Sequence, residues 1–178
     1  CGIVRPSRPL SRLYGEGEMA EFGELGPFEL TEEELVAWGE RIGAEVEVPA
    51  VFALRGELGM GKSVLARAVA RGAGVVGLMP SPTFNLVYRY SGERGVDVWH
   101  LDLYRLDDPE DVWELGWQEL GTGDDLVLIE WPERAEALLP PDRWDIYLEA
   151  GARAGAGETR VVRAVRRGAA PRVPGVPE

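Results

Sequence analysis

An α/β fold, built as a three-layer sandwich around a mostly parallel sheet that finishes in an antiparallel pair, is what this sequence predicts. Three observations carry the expectation. Apolar runs of strand length alternate with segments of helical period along the chain. Residues 56–63 read Gly-Glu-Leu-Gly-Met-Gly-Lys-Ser, a complete G-x-x-x-x-G-K-[ST] string placed between one such strand and one such helix. With 178 residues and 45% apolar content, the chain can bury one good core.

The elements follow in order. Residues 1–27 are rich in Gly, Pro, Arg and Glu without periodicity, and are expected to be disordered. Gly15-Glu16-Gly17-Glu18 is what a purine-rich ribosome-binding site yields when translated, which puts the expected native start at Met19. Order should begin at Leu30: Thr31 is an N-cap with Glu34 three residues on, a capping box that starts a helix. Leu35, Trp38, Ile42 and Val46 then fall on one helical face. Residues 51–54 form a short apolar strand before the glycine-rich string, and 64–70 continue as a helix after it. Residues 79–83 are a loop stiffened by Pro80 and Pro82. Residues 84–90 and 96–104 read as two strands, and Asp108-Pro109 caps a short helix that stops at Gly116. The fully apolar run 126–129 suits a buried central strand. Residues 132–139 form a second short helix, and 144–148 with 159–165 form the terminal antiparallel pair. The chain therefore divides into an extension (1–27), a domain (28–167) and a tail (168–178) whose prolines and glycines predict no structure.

The string at 56–63 is a phosphate-binding loop, and the fold around it is expected to be P-loop NTPase-like. Gly56, Gly59 and Gly61 let backbone N–H groups turn toward an anion, and the helix N-terminus adds its positive dipole. Lys62 is the only lysine beside 18 arginines. A compact ammonium fits between phosphates where a planar guanidinium does not. Ser63 offers a hydroxyl to Mg²⁺. A triphosphate site also needs a carboxylate at a neighbouring strand end, and two candidates occur. Leu126-Val127-Leu128-Ile129-Glu130 ends four apolar residues with an acid, the pattern of a metal-holding strand; a solvated acid at a strand exit is the alternative. Alternation puts His100, Asp102 and Tyr104 on one strand face, where Asp102 is either a site carboxylate or a partner of Arg105 or a helix cap. His100, the single histidine, makes no metal set and no triad by itself, and Trp131 reads as packing.

Composition narrows the function. The net charge is −12, and residues 13–152 carry 10 basic and 29 acidic side chains. So acidic a core is poorly suited to gripping RNA phosphates, so any RNA-related role should run through a partner protein. One cysteine allows no internal disulfide, no apolar run approaches membrane-spanning length, and a cytoplasmic location is expected. A GTPase is excluded, because its Asn-Lys-x-Asp signature cannot exist where Lys62 is the only lysine. A small-molecule kinase fits in size but needs an Arg-rich lid, of which Arg89 and Arg94 supply little.

Four motifs occur in order: the loop at 56–63, then Ser81-Pro82-Thr83-Phe84-Asn85-Leu86-Val87, then His100-Leu101-Asp102-Leu103-Tyr104-Arg105-Leu106, then Glu130-Trp131-Pro132-Glu133. By these, residues 28–150 closely resemble the TsaE (YjeE) family, bacterial ATPases needed for threonylcarbamoyl modification of adenosine 37 in tRNAs that read codons beginning with A. The resemblance implies that Glu57, Leu58, Gly59, Met60, Gly61, Lys62 and Ser63 bind ATP phosphates and that Ser63 and Glu130 serve Mg²⁺. It further implies that Asp102 supports metal or water in hydrolysis, that Thr83 lies in a switch-like loop near the γ-phosphate, and that Leu30 and Thr31 lie against the adenine. The implied partners are the TsaB and TsaD proteins, with tRNA met only through them, no membrane, and an ATPase that is weak alone. Met60 stands where the family has alanine, Ser63 where it has threonine, and Asn85 where threonine is common.

Overall fold

A computed structural model describes residues 23–82, 85–93, 95–152 and 158–176. One seven-stranded sheet organises them, in the order β1-β7-β6-β2-β5-β4-β3. Its strands are β1 (Glu24–Thr31), β2 (Ala50–Arg55), β3 (Val87–Ser91), β4 (Asp97–Asp102), β5 (Asp125–Glu130), β6 (Arg143–Ala150) and β7 (Thr159–Arg167). The centre is parallel: β2 runs beside β5 and β6, and β5 beside β4. The β6–β7 pair is antiparallel, as the sequence predicts, and so are β1–β7 and β3–β4.

Two helices cover one face. Helix α1 (Glu32–Glu45) begins at the predicted cap: the Thr31 hydroxyl accepts from the Glu34 N–H, and the Glu34 carboxylate accepts from the Thr31 N–H at 2.7 Å. Leu35, Trp38, Ile42 and Val46 are all buried. Helix α2 (Lys62–Gly72) packs against α1, and at two points backbone approaches backbone directly. A Cβ on Gly43 would lie 1.9 Å from the Val69 carbonyl oxygen, and one on Gly72 would lie 2.0 Å from that of Glu40, so only glycine permits this approach. The opposite face is covered by 3-10 turns at Pro109–Leu115, Trp117–Glu119 and Pro132–Leu138. These bury Val51, Trp99, Leu101, Val127 and Ile129 in a second apolar cluster, which completes the third layer.

Order extends past both boundaries that composition suggests. The domain begins with β1 at Glu24 rather than at Leu30; a Gly26-Pro27 pair interrupts the register between Leu25 and Phe28, so the strand does not read as one in sequence. An edge position tolerates proline because one side of the strand needs no ladder donor. The tail after Gly168 also packs, with Ala170 and Val173 buried. Its proline carbonyls satisfy two buried indoles: Trp144 Nε1 donates to Pro171 O at 2.8 Å and Trp38 Nε1 to Pro174 O at 3.0 Å. Prolines signal disorder by composition, yet a carbonyl needs no N–H of its own to close a buried donor. Met19 lies outside the described residues. No helix among the described residues is long and apolar enough to cross a membrane.

Candidate functional site

Strands β2, β5 and β4 end together, and the site sits at their C-terminal tips, where the topology of a parallel sheet leaves a crevice. Loop 56–61 leaves β2 through positive-φ glycines, with φ of 140° at Gly56, 83° at Gly59 and 98° at Gly61. Gly61 caps α2 in the left-handed conformation, which a residue with a Cβ adopts only at a cost of about 1–2 kcal/mol. The turn leaves the first N–H groups of α2 without intrahelical partners and directed out of the helix end, the arrangement that accepts phosphate. Leu58 is 76% exposed at the rim, while Met60 turns inward and packs on the main core.

Lys62 is only 4% exposed. Its Nζ donates to Gly56 O at 2.6 Å and Glu57 O at 2.8 Å, and stands 3.8 Å from the centroid of the Trp131 indole. Three ammonium donors thus face two carbonyls and a π-surface. Burial depresses the Lys62 ammonium below the ordinary lysine value, against the opposing fields of Glu130, Glu133 and Asp102. Trp131 reaches this place because its backbone is left-handed, with φ 56° and ψ 47°, and its ring packs on Tyr104 at 4.9 Å. The ring thus packs between Tyr104 and the Lys62 ammonium.

Register brings the two predicted carboxylates side by side. Asp102 of β4 pairs with Glu130 of β5 across the parallel ladder, and both are buried. Ser63 Oγ donates to Glu130 Oε2 at 2.8 Å. His100 Nε2 lies 2.7 Å from Glu130 Oε1, with both side chains 2% exposed. Glu130 is thus not a solvated acid at a strand exit. Asp102 Oδ1 accepts from the Tyr104 N–H at 3.0 Å, so this carboxylate also holds the turn that follows β4. The cavity, about 270 Å³, is lined by Leu58, Gly61, Lys62, Ser63, Asp102 and Glu130, with Ser81, Tyr104 and Trp131 closing its sides.

Among the described residues no group of three or more His, Cys, Asp or Glu side chains forms a metal cage. A hydroxyl and one carboxylate oxygen 2.8 Å apart suit Mg²⁺ instead, which is held by one or two protein oxygens together with phosphates and water. Leu30 and Thr31 approach the same end of the sheet from β1. Leu30 pairs with Arg160, whose Nε is 3.7 Å from where a Gly61 Cβ would be. Leu30 is buried, and the Thr31 hydroxyl is engaged by Glu34. Thr83 lies outside the described residues. His100 is the residue that sequence reasoning missed; alternation sets it on the Asp102 face, but only the β4–β5 register reveals that Glu130 stands beside it.

A second polar cluster borders the loop. Asp145, 1% exposed on β6, accepts from Arg55 at 3.0 Å, Arg143 at 3.0 Å and Arg167 at 2.8 Å. Arg55 also forks onto Glu136 at 2.8 and 3.0 Å. Because Arg55 directly precedes Gly56, this hub fixes the strand end from which the phosphate loop departs.

The family of threonylcarbamoyl adenosine biosynthesis proteins TsaE matches residues 30–162. Among relatives bearing the name tRNA threonylcarbamoyladenosine biosynthesis protein TsaE, that of Haemophilus influenzae is 41% identical over 87 residues, covering 49% of this chain and 54% of its own. That of Treponema pallidum is 37% identical over 103 residues, 58% of this chain and 75% of its own. That of Rickettsia conorii is 36% identical over 121 residues, 67% of this chain and 68% of its own. The chain therefore spans about half the length of the first relative and larger shares of the other two. In three dimensions it is similar to the crystal structure of Bacillus subtilis YdiB, with a TM-score of 0.62 and 26% identity, covering 79% of this chain and 84% of that one.

Proposed function

This chain belongs to the TsaE family, and on that premise we propose that it is a Mg²⁺-dependent ATPase that serves formation of the threonylcarbamoyl group on adenosine 37 of tRNAs reading codons that begin with A. The observation that carries the reading is the convergence of Lys62, Ser63, Asp102 and Glu130 on one small cavity at the tips of three adjacent strands. Each side chain has a task there. Lys62 leaves the carbonyls of Gly56 and Glu57 and turns to the phosphates, while the N–H groups of the loop and of the start of α2 receive phosphate oxygens. Ser63 and Glu130 would hold Mg²⁺, which supplies charge neutralisation to the phosphate oxygens when bound. Asp102, beside Glu130, orients water or metal for hydrolysis. The phosphate loop, made of backbone donors, selects anions and not bases, and the family resemblance is what assigns the adenine to the region of Leu30 and Thr31.

Trp131 resting on Lys62 supports a slow enzyme in isolation, since the cation that must meet the triphosphate is already engaged. TsaB and TsaD are the proposed partners. The strongly acidic surface supports an indirect relation to tRNA, reached through those proteins and not by direct contact. ATP binding and turnover by the full chain, alone and with TsaB and TsaD, test the proposal. ATP or ADP should compete better than GTP, turnover should rise with the partners, and Lys62→Ala should abolish binding or hydrolysis without unfolding the chain. Parent-rate hydrolysis by Lys62→Ala, or equal affinity for GTP, would contradict it.

A further inference from the structure

His100 is the only histidine in the chain, and it is buried in β4 beside the carboxylate that the proposed metal requires. The two oxygens of Glu130 have different neighbours. Oε2 receives the Ser63 hydroxyl at 2.8 Å, and Oε1 faces His100 Nε2 at 2.7 Å. A carboxylate that holds a metal ion only accepts, so on the metal reading the ring nitrogen opposite it is the donor. Lys62 is a cation that this carboxylate also feels, and the hydrogen bonds to its two oxygens hold the three-torsion glutamate against turning toward it. With the His100 donor removed, a buried oxygen would be left unsatisfied, and rotation toward Lys62 would be its relief.

We propose that His100 is the positioning residue of the metal seat: its Nε2–H fixes Oε1 of Glu130 so that Oε2 stays aimed at Ser63. The proposal rests on the Mg²⁺–ATP reading above. Residues that orient a metal-binding carboxylate through its other oxygen act in this way generally, and their loss costs about 10- to 100-fold in metal affinity or activity. A histidine that merely filled the core would affect melting and leave the metal response alone.

Three variants of the full chain separate these roles. His100→Leu keeps volume and removes the donor; His100→Gln keeps an N–H that reaches as far as Nε2; His100→Asn keeps polarity but is too short. ADP affinity is measured calorimetrically in EDTA and across a Mg²⁺ titration, with melting temperature read in parallel. In EDTA all variants should bind ADP within about twofold of the parent, while Mg²⁺ affinity falls about 10- to 100-fold in His100→Leu and His100→Asn. His100→Gln should recover to within about threefold of the parent, a rescue expected only of a lost orienting bond. Should the leucine variant not fold, the glutamine–asparagine comparison decides alone. A Mg²⁺ curve for His100→Leu that overlays the parent, or glutamine and asparagine variants that behave alike, overturns the assignment. If the parent itself does not respond to Mg²⁺, the metal reading fails and takes this role with it, an outcome distinct from a responsive parent with responsive variants.

Discussion

Replacing Asp145 by Asn removes one negative charge from the centre of three guanidinium groups and leaves the shape of the side chain unchanged. Breaking a buried ion pair by neutralising one partner destabilises by about 3–5 kcal/mol. The present geometry lowers that figure. Arg167 is 48% exposed and can turn to water, and Arg55 retains its fork on Glu136, so the loss should be about 3 kcal/mol. In a chain of this length that corresponds to a fall of about 6–12 °C in melting temperature. Acid provides the sharper test. Burial pushes the Asp145 carboxyl up, but the hydrogen bonds from Arg167, Arg143 and Arg55 outweigh it and hold it below the usual carboxylate range. A group whose folded value is depressed contributes stability above its unfolded value, about 3.9, and loses it as the pH falls through the folded value. The difference between parent and Asp145→Asn should therefore be complete at neutral pH and shrink below about pH 4. Urea denaturation at neutral and acid pH measures it, with an unchanged m-value showing that stability alone has moved. A neutral-pH difference under about 1 kcal/mol, or one that stays constant into acid, would refute the charge-hub account.

Other outcomes follow from the site and its supports. Glu130→Ala should weaken Mg²⁺-dependent nucleotide binding far more than metal-free binding, whereas Asp102→Ala should retain affinity and lose turnover by about 10²- to 10⁴-fold; coincident Mg²⁺ titrations would abolish that division of labour. Gly43→Ala should destabilise by about 1–3 kcal/mol or more, because its Cβ meets a backbone carbonyl at 1.9 Å; an unchanged thermal melt would be inconsistent with the helix contact. Burial depresses Lys62, so the decline of ATP affinity with rising pH should begin below the ordinary lysine value of about 10.4. Affinity that stays flat until that value is passed would show the ammonium to be unperturbed.

What the sequence discloses is what neighbouring residues decide among themselves. The capping box at Thr31 and Glu34, the loop at 56–63 and the apolar run ending in Glu130 each have their physics within a few positions, and each appears where it was expected. The β1 strand does not, since Gly26 and Pro27 break its local pattern and only β7 beside it makes it a strand. The tail is opaque for a similar reason: Pro171 and Pro174 owe their place to indoles more than 25 residues away in the chain. Within the site, alternation sorts His100 and Asp102 to one face, but their meeting with Glu130 depends on register between strands 30 positions apart. The Asp145 hub joins Arg55, Arg143 and Arg167 from three strands, and no spacing rule anticipates it.

The contact between α1 and α2 governs how the site can move. Both helices point their N-termini at the same end of the sheet, as the 3.3 Å approach of Leu35 to the Gly61 Cβ position indicates. One N-terminus follows Thr31, where the base is proposed to lie, and the other follows the phosphate loop. Side-chain layers between helices can shear by exchanging rotamers, but carbonyls seated on glycine backbones have nothing to exchange. The two helices therefore act as the jaws of a caliper set to one opening. If the base lies at Thr31 as proposed, a displacement of the phosphate loop would carry Thr31 with it, and a nucleotide whose base-to-phosphate reach differs from that opening would bind less well.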